Sequence, residues 1–396
     1  MGGSKGGVPL SAFGFPSLFS PHFVGGSKGG VPLFRFQISE TNNTVRDCVL
    51  VINPGSTSTK LGFVDGEGKL VWEATLKHES EGAAKMRDLV DVRGAQIEEL
   101  ISKMEQPLVP EAVVGRGGPL HALESGVYHV NDTMIEELLS EKWSSHPSNL
   151  GAPLAKRFAA RWNVAAYIVD PVTVDDFVDV ARISGVPEIA RRSRSHALNI
   201  RSCAYLAAKE IGKALSETRF VIAHLGGGIS IAAVEGGRIT DVNDALLGMG
   251  PFSPERAGAT PLEGIIDLLA SGKYTARELK TYLTKACGLK GYLGTNDLRE
   301  VEARAAAGDE KANLVYRAMI YQIAKEIGAY AAALKGRLDA LVITGGLANS
   351  QKLLAHLKEY VGWLGRLIAY PGERELEAMG QGALRVLRGQ EKPREY

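Results

Sequence analysis

The sequence has few cysteines, almost no net charge and no long apolar run. Its three cysteines (Cys48, Cys203 and Cys287) suit neither a disulfide framework nor a metal site, so we expect buried thiols in a reducing, cytoplasmic compartment. The formal net charge of +1 leaves no basic surface for nucleic acid. No apolar segment approaches the roughly 18 residues that span a bilayer. We therefore expect neither nucleic acid nor a membrane among the partners.

Acidic residues are missing from the amino-terminal segment, where the first is Glu40. This segment is rich in Gly, Ser, Pro and Phe, and the string GGSKGGVPL occurs at 2–10 and again at 25–33. Such a composition cannot bury enough apolar surface to fold. We interpret residues 1–46 as a disordered or artefactual extension, with an organelle-targeting peptide as the alternative.

The remaining chain is long enough for two domains. A length of 396 residues and a hydrophobic content of 45% are ordinary for globular domains with a substantial core. A glycine-rich loop is predicted at 288–294 and a helix beginning near 174. Periodicity and capping residues predict further helices at 86–103, 131–139, 154–162, 197–215, 261–271, 275–285, 298–307, 312–335 and 377–387.

The stretch 48–60, CVLVINPGSTSTK, combines a buried strand with a polar turn. The apolar residues 49–52 end abruptly at Asn53, and the turn that follows offers backbone N–H groups, hydroxyls and a lysine to an anion. The loop is not a Walker A motif, which needs a second glycine before the lysine and a helix after it. The predicted phosphate-binding side chains are Asn53, Ser56, Ser58 and Lys60. A turn without a ligand is the alternative.

A second copy of this pattern occurs at 220–239, FVIAHLGGGISIAAVEGGRI. A strand runs into Gly226, Gly227 and Gly228, and two more strands follow around an acidic-glycine turn. Glycine lets a backbone approach a ligand closely. The repeat predicts a duplicated unit of three strands with a nucleotide phosphate tail held between the copies. Two unrelated hairpins are the alternative.

Polar residues follow several other predicted strands. Arg116, framed by glycines, and Asp170 come at the carboxyl ends of strands, where open α/β sheets bind ligands. Asp170 is suited to Mg²⁺, although it also fits an Asx-type cap. Arg256 lies in a rigid loop, and the glycines at 345–346 would leave room for a nucleoside. His146 and His196 are candidate donors, while a surface or capping role remains open for a lone histidine.

Seven motifs together resemble the butyrate kinase branch of the acetate kinase family. They are NPGSTSTK at 53–60, GRGG at 115–118, DPV at 170–172, HALN at 196–199, HLGGG at 224–228, GPFSPERAG at 250–258 and TGG at 344–346. The resemblance covers about 48–387. It implies an α/β fold of two ribonuclease-H-like (actin-like ATPase) domains, 47–174 plus 376–396 and 175–375, with a nucleotide cleft between them. It also implies ATP, Mg²⁺, a short-chain carboxylate substrate and a homodimer or larger homo-oligomer.

The resemblance further implies a role for each matching residue. The transferring phosphoryl group would lie near Asn53, Ser56, Ser58 and Lys60, the carboxylate would be bound by Arg116, and Mg²⁺ would be organised by Asp170 and Glu375. The transition state would be surrounded by His146, His196 and Arg256, and the nucleotide phosphates would be cradled by Gly226, Gly227 and Gly228. The nucleoside would be held by Gly345, Gly346 and Asn349, and the acid pocket would be lined by Gly118, Pro171 and Ser195. Glu373 fits the metal position as loosely as Glu375 does.

Two departures bear on the acid. Gly118 stands where acetate kinases carry a valine, and Ser195 stands where they carry a phenylalanine. Smaller residues predict room for an acid longer than acetate, so butanoate is expected, with overlap towards isobutanoate and propionate because one methylene is worth only about 1–3 kcal/mol. The alternatives are a sister acyl kinase and an actin-like ATP-binding module without acyl transfer.

Overall fold

The chain folds as two mixed sheets with helices packed on their faces. A computed structural model describes residues 48–78 and 85–396, and the predicted extension 1–46 lies outside them. The strands are β1 (Cys48–Pro54), β2 (Ser58–Asp65), β3 (Leu70–Lys77), β4 (Ala112–Arg116), β5 (Val127–His129), β6 (Ala165–Val169), β7 (Arg219–Leu225), β8 (Ile229–Glu235), β9 (Arg238–Val242), β10 (Ala340–Gly345) and β11 (Leu367–Pro371).

Twelve helices appear in the described residues. They are α1 (Met86–Ser102), α2 (Asp132–Leu139), α3 (Gly151–Trp162), α4 (Asp179–Arg182), α5 (Ala197–Ile211), α6 (Leu262–Ala270), α7 (Ala276–Lys285), α8 (Gly288–Leu293), α9 (Leu298–Ala306), α10 (Glu310–Ala333), α11 (Gln351–Val361) and α12 (Glu375–Leu387). None of those described is long and apolar enough to cross a membrane.

The two sheets share a five-strand topology, to which the first sheet adds the antiparallel strand β5. The first has the order β3-β2-β1-β4-β6-β5 and the second β11-β10-β7-β8-β9. In each, an antiparallel meander (β1-β2-β3 and β7-β8-β9) is extended beyond its first strand by parallel strands. The predicted duplication of strand, turn, strand, turn and strand is therefore confirmed.

Strand β1 of the first sheet and strand β7 of the second are covered by helices on both faces, as their continuous apolar runs require. Residues 48–52 of β1 have no exposed surface. One face of the first sheet packs with α1 and α3 and the other with α12. The second sheet lies between α10 on one face and α5 on the other.

Helix α12 follows β11 of the second sheet but packs on the first sheet. Its side approaches so closely that a Cβ at Gly380 would lie 2.6 Å from Val64, and a Cβ at Gly382 would lie 2.6 Å from Val169. This crossing agrees with placing the carboxyl-terminal helix with the first sheet. The domain boundaries 47–174 plus 376–396 and 175–375 stay a prediction.

The last residues, 391–396, form a carboxyl-terminal arm along β5. The Arg394 N–H donates to the Val127 carbonyl at 2.8 Å, and the His129 N–H donates to the Arg394 carbonyl at 2.9 Å. The Tyr396 hydroxyl donates to Glu137 at 2.5 Å. The arm thus extends the first sheet beyond β5.

Three element predictions were wrong. Helix α5 ends at Ile211, four residues early, because Gly212 takes a φ of +71°. No helix begins near 174; between 174 and α5 the structure has only the single-turn helix α4, which begins at Asp179. The predicted loop 288–294 contains helix α8, because the carbonyls of Ser253 and Pro254 accept the N–H groups of Leu289 and Lys290.

Candidate active site

The first phosphate loop is a tight hairpin with one polar face. The Gly55 N–H donates to the Ser58 carbonyl at 2.7 Å, which closes the turn. Asn53 lies opposite Lys60 in the β1–β2 register. Opposite residues share a sheet face, and so do residues two apart, so Asn53, Ser58 and Lys60 present their side chains on one side. Ser56 is exposed at the tip.

Arg116 lies at the end of β4, beside this loop. The Asn53 amide donates to Glu375 at 2.7 Å, and the other oxygen of Glu375 is 3.4 Å from Arg116 Nη2. The Arg116 side chain is only 12% exposed, and its Nη1 is buried with no hydrogen-bond partner in the described part of the chain. The arginine therefore keeps a donor available for a further acceptor. Gly115 brings the strand end against Gly151, whose carbonyl would lie 2.0 Å from a Cβ at Gly115.

The His196 ring stacks on His224. Their centroids are 3.9 Å apart with an interplanar angle of 15°. His196 Nδ1 is 2.9 Å from the Ser230 hydroxyl. Burial lowers the pKa of His196 well below its ordinary value, and the charges of His224, Arg256 and Arg116 act in the same direction. His196 is therefore neutral at pH 7. Its neutral ring can donate one N–H hydrogen bond and brings no positive charge to the site.

His224 is a site residue that sequence reasoning missed. It is 1% exposed, its Nδ1 is 2.9 Å from Asn199 Oδ1, and its Nε2 is 3.5 Å from Glu373 Oε1. The pKa of Glu373 is lowered by the His224 ring and by the charges of Lys60 and Arg116. Glu373 thus contacts His224 of the second sheet and lies within the electrostatic influence of Lys60 and Arg116 of the first. In the sequence, only its place in the motif HLGGG indicates a role for His224, and in that motif the glycines alone are interpreted as binding residues.

The second glycine loop supports Arg256. The Ser253 hydroxyl donates to the Gly227 carbonyl at 2.6 Å, and Arg256 donates from Nη1 to the Ala245 carbonyl. A Cβ at Gly228 would lie 2.1 Å from that Nη1, so only glycine lets Arg256 cross the loop. Gly227 is exposed, with no described atom within 4 Å of its Cβ position. The backbone of this loop is therefore open to a ligand at Gly227, whereas Gly226 and Gly228 are buried.

The predicted nucleoside element lies at the end of β10. Gly345 has a φ of +88°, and a Cβ there would lie 2.3 Å from the Leu225 carbonyl. Next to it, no described atom lies within 4 Å of the Cβ position of Gly346. The Asn349 amide donates back to the Gly346 carbonyl at 2.9 Å. Open space beside a glycine turn suits a flat nucleoside.

Asp170 lies in a buried ion pair. Its Oδ1 accepts from Arg201 and, at 2.8 Å, from the Gly126 N–H, and the residue is 2% exposed. Burial raises its pKa while Arg201 and Arg385 oppose that rise. In this arrangement one carboxylate oxygen already has two donors, so direct metal binding fits Asp170 poorly. The predicted metal role of Asp170 stays a prediction.

The carboxylates of Glu373 and Glu375 are more accessible than that of Asp170. No cluster of three His, Cys, Asp or Glu side chains suited to a metal occurs within 48–78 and 85–396. Mg²⁺ is, however, commonly held by one or two carboxylates together with substrate phosphates and water. Glu373 and Glu375 are partly exposed, so water and substrate phosphates have access to them, although both oxygens of Glu375 already have partners in Asn53 and Arg116; their metal role stays a prediction.

The predicted acid-pocket residues lie near the tips of β4 and β6, and before α5. A Cβ at Gly118 would lie 2.8 Å from Leu138 and 2.9 Å from Asn149, so the missing side chain leaves no open space there. Pro171 packs on Gly117 in the same way. The Ser195 hydroxyl is buried without a hydrogen-bond partner among the residues described. Their pocket role stays a prediction.

His146 caps a 3₁₀ turn, Pro147–Leu150: its Nδ1 accepts from the Ser148 N–H at 3.2 Å in a partly buried hydrogen bond. The capping contact is present, and the role of His146 as a substrate-site donor stays a prediction. Burial, followed by the charge of Arg116, lowers the pKa of His146. The charge of Arg116 thus lowers the pKa of both His146 and His196, and a site shared by the three residues stays a prediction.

Two turns open to an anion, two arginines and stacked histidines are groups that suit a phosphotransferase. The family model described as the acetokinase family matches residues 188–382. A probable butyrate kinase 2 from Caldanaerobacter subterraneus subsp. tengcongensis is 46% identical over 352 residues, covering 88% of this chain and 99% of that protein. A probable butyrate kinase from Listeria monocytogenes is 44% identical over 362 residues, with the same coverages. The chain belongs to the acetokinase family, whose members are ATP-dependent carboxylate kinases.

Solved structures agree on the fold. Acetate kinase from Porphyromonas gingivalis has a TM-score of 0.71 at 20% identity, covering 86% of this chain and all of that chain. A propionate kinase from Francisella tularensis has a TM-score of 0.65 at 20% identity, with coverages of 85% and 98%. The predicted actin-like ATPase fold is confirmed.

Proposed function

We propose that this enzyme transfers the γ-phosphoryl group of ATP to butanoate, reversibly, giving butanoyl phosphate and ADP. The observation that carries the proposal is Arg116, a nearly buried arginine beside the first phosphate loop. Its Nη1 has no hydrogen-bond partner among the described residues and can donate to a substrate. An arginine fork offers two parallel donors that match a carboxylate. The names of the curated relatives support butanoate as the acid.

The reaction needs no general base. A short-chain carboxylic acid has a pKa of about 4–5, close to that of glutamic acid, and is already a nucleophilic anion at pH 7. The obstacle is the repulsion between this anion and the phosphoryl oxygens. Phosphoryl transfer is therefore accelerated by positioning and by cations at the equatorial oxygens. We assign these tasks to Arg116, Arg256 and Lys60, with neutral His196 as a hydrogen-bond donor.

Glu375 and Glu373 would hold Mg²⁺. When bound, the ion would neutralise charge on the nucleotide phosphates. The protein's own contribution is to hold Glu375 through Asn53 and Glu373 beside His224, so that both carboxylates stay in the cleft. Asp170, if it acts on the metal, would do so through Oδ2 or through water, since its Oδ1 accepts from Arg201 and Gly126.

Trapping the acyl phosphate tests the proposal. The enzyme is incubated with MgATP, hydroxylamine and acetate, propionate, butanoate or isobutanoate, and the acyl hydroxamate is measured. Butanoate should give the highest kcat/KM, and a background ATPase cannot imitate the signal. A highest value with another acid would make the protein a sister acyl kinase. ATP binding without hydroxamate from any acid would favour the actin-like binding module.

We also propose a homodimer or larger homo-oligomer in the cytoplasm. Helix α6 supports the first part, because none of its residues is buried, and Leu262, Ile266 and Leu269 are exposed on it. The second part is supported by three cysteines that all remain free thiols.

A further inference from the structure

Behind the first phosphate loop lies a buried arginine, Arg93 of α1. It is 1% exposed, although arginine is rarely buried fully. Its Nη1 donates to the Gly55 carbonyl at 2.8 Å and to the Thr59 hydroxyl at 3.3 Å. Gly55 opens the turn of the loop, and Thr59 is in the strand that leaves it.

Thr59 points away from the ligand face. It lies between Ser58 and Lys60 in β2, so its side chain is on the opposite side of the strand, and it has no exposed surface. Its hydroxyl is 2.8 Å from Nε2 of His78. Arg93, Thr59 and His78, which we call the loop brace, therefore support the hairpin from its buried side.

The bond to Gly55 determines which way one peptide faces. A trans peptide is planar, so its carbonyl and its N–H point in opposite directions. The Gly55 carbonyl points to Arg93 on the buried side. The N–H of Ser56 must then point outward, to the exposed tip of the loop, where an anion would find it.

We propose that Arg93 is a positioning residue that holds the Gly55–Ser56 peptide ready for the terminal phosphate of ATP. The proposal rests on the proposed function, because it takes this loop as the site of the transferring phosphoryl group. Arg93 touches neither substrate; its contribution is to keep the Ser56 N–H aimed before ATP arrives. Lysine cannot replace it, because its ammonium is a single compact donor group without the fixed guanidinium fork.

Differential nucleotide binding tests the inference. Dissociation constants of the β,γ-imido analogue of ATP and of ADP, both with Mg²⁺, are measured by calorimetry for wild type and Arg93→Lys. We expect the ATP analogue to bind about tenfold more weakly and ADP to change less than twofold, since one charge-assisted hydrogen bond is lost. Turnover with MgATP should fall by a similar factor.

Arg157→Lys is the matched control. Arg157 also packs against α1, through Asp91 and Glu98, but it makes no contact with the loop in the structure as described. This variant should keep the ratio of the two dissociation constants. Equal weakening of both nucleotides by Arg93→Lys, or no weakening, would overturn the proposal, because general damage to the fold does not select for the terminal phosphate.

A second pair covers the case in which Arg93→Lys fails to fold. Thr59→Val removes the hydroxyl from the brace at nearly constant volume, and Thr59→Ser restores it. We expect Thr59→Val to weaken the ATP analogue about threefold relative to ADP and Thr59→Ser to bind like wild type. No selective loss in Thr59→Val would contradict the brace. These measurements need no acid, so they stay decisive even if the hydroxamate assay rejects butanoate.

Discussion

At the scale of single residues, the site depends on a few buried polar groups. Arg116 combines a contact to Glu375 with a buried, unused Nη1, and His196 is held neutral between its neighbours. Burying a charge without a partner costs free energy, so a buried arginine favours binding an anion and a buried histidine favours its neutral form. Their chemistry can be tested one residue at a time.

Arg116→Ala should lower acid turnover strongly while sparing nucleotide binding. Loss of a donor aimed at the reacting group typically lowers kcat by about 10²–10³-fold. The dissociation constant of ADP should change less than threefold, because Arg116 is assigned to the acid. Steady-state kinetics with butanoate and calorimetry with ADP provide the two values. Near-normal turnover would remove Arg116 from the carboxylate site.

His196 should make the protein less stable in mild acid. Its folded pKa is depressed below the unfolded value of about 6.5, so the unfolded chain binds a proton that the folded protein refuses. The contribution to stability is complete above pH 6.5 and is lost as the pH falls towards the folded pKa. The free energy of unfolding should decrease by at most about 1.4 kcal/mol per pH unit from this group.

Urea titrations between pH 7.5 and 5.5 measure this dependence. His196→Asn keeps a hydrogen-bonding side chain without an ionisable ring, and it should give a shallower loss of stability than wild type. Identical slopes for the two proteins would show that His196 takes up its proton in the folded state as well.

At the scale of secondary-structure elements, much of the fold could be predicted. Both meanders and their turns were visible because apolar strands ending in Gly and Ser are local patterns. The end of α5 and the identity of α8 were not, because one depends on a positive φ at Gly212 and the other on carbonyls of Ser253 and Pro254. His224 and the Arg201–Asp170 pair were missed for the same reason: their partners are distant in sequence.

Substitution of alanine for Gly328 and for Gly212 should change the free energy of unfolding in opposite directions, because both have room for a Cβ but their backbone conformations differ. Gly328, within α10, and Gly212, after α5, each have no described atom within 4 Å of the Cβ position. Gly328 is helical, so Gly328→Ala should raise the free energy of unfolding by about 0.5–1 kcal/mol. Gly212 has a φ of +71°, so Gly212→Ala should lower it by about 1 kcal/mol. Chemical denaturation of both variants measures the contrast, and equal shifts would contradict it.

At the scale of the whole molecule, a buried ion pair connects elements of the two sheets. Asp170 follows β6 of the first sheet, and Arg201 belongs to α5 beneath the second. The Arg201 guanidinium also donates to the Gly237 carbonyl at 3.0 Å. Removing one partner would leave the other charge buried and uncompensated.

Asp170→Asn should therefore destabilise the protein by about 3–5 kcal/mol. Thermal and urea unfolding test this, with Asp175→Asn as the control, since Asp175 pairs with the partly exposed Arg182. A Mg²⁺ titration of the folded variant tests the predicted metal role separately. A variant as stable as wild type would mean that the ion pair contributes little.

The exposed face of α6 should control assembly. Ile266→Glu places a charge among Leu262 and Leu269, and a charge cannot be buried there without a partner. We expect the mass measured by light scattering to fall to that of a monomer, while Leu314→Glu, at an exposed site on α10, leaves it unchanged. An unchanged mass for Ile266→Glu would place the subunit contact elsewhere.

The carboxyl-terminal arm has a consequence for colloidal behaviour. A strand at the border of a sheet presents unpaired N–H and C=O groups on which another chain can add a strand. Residue 394 occupies the outer border of β5, and Tyr396 fastens the arm through Glu137. The opposite border, β3, interrupts its apolar residues with exposed Glu73 and Lys77 and has an irregular register. Both borders of the first sheet are thereby protected from the strand addition that begins aggregation.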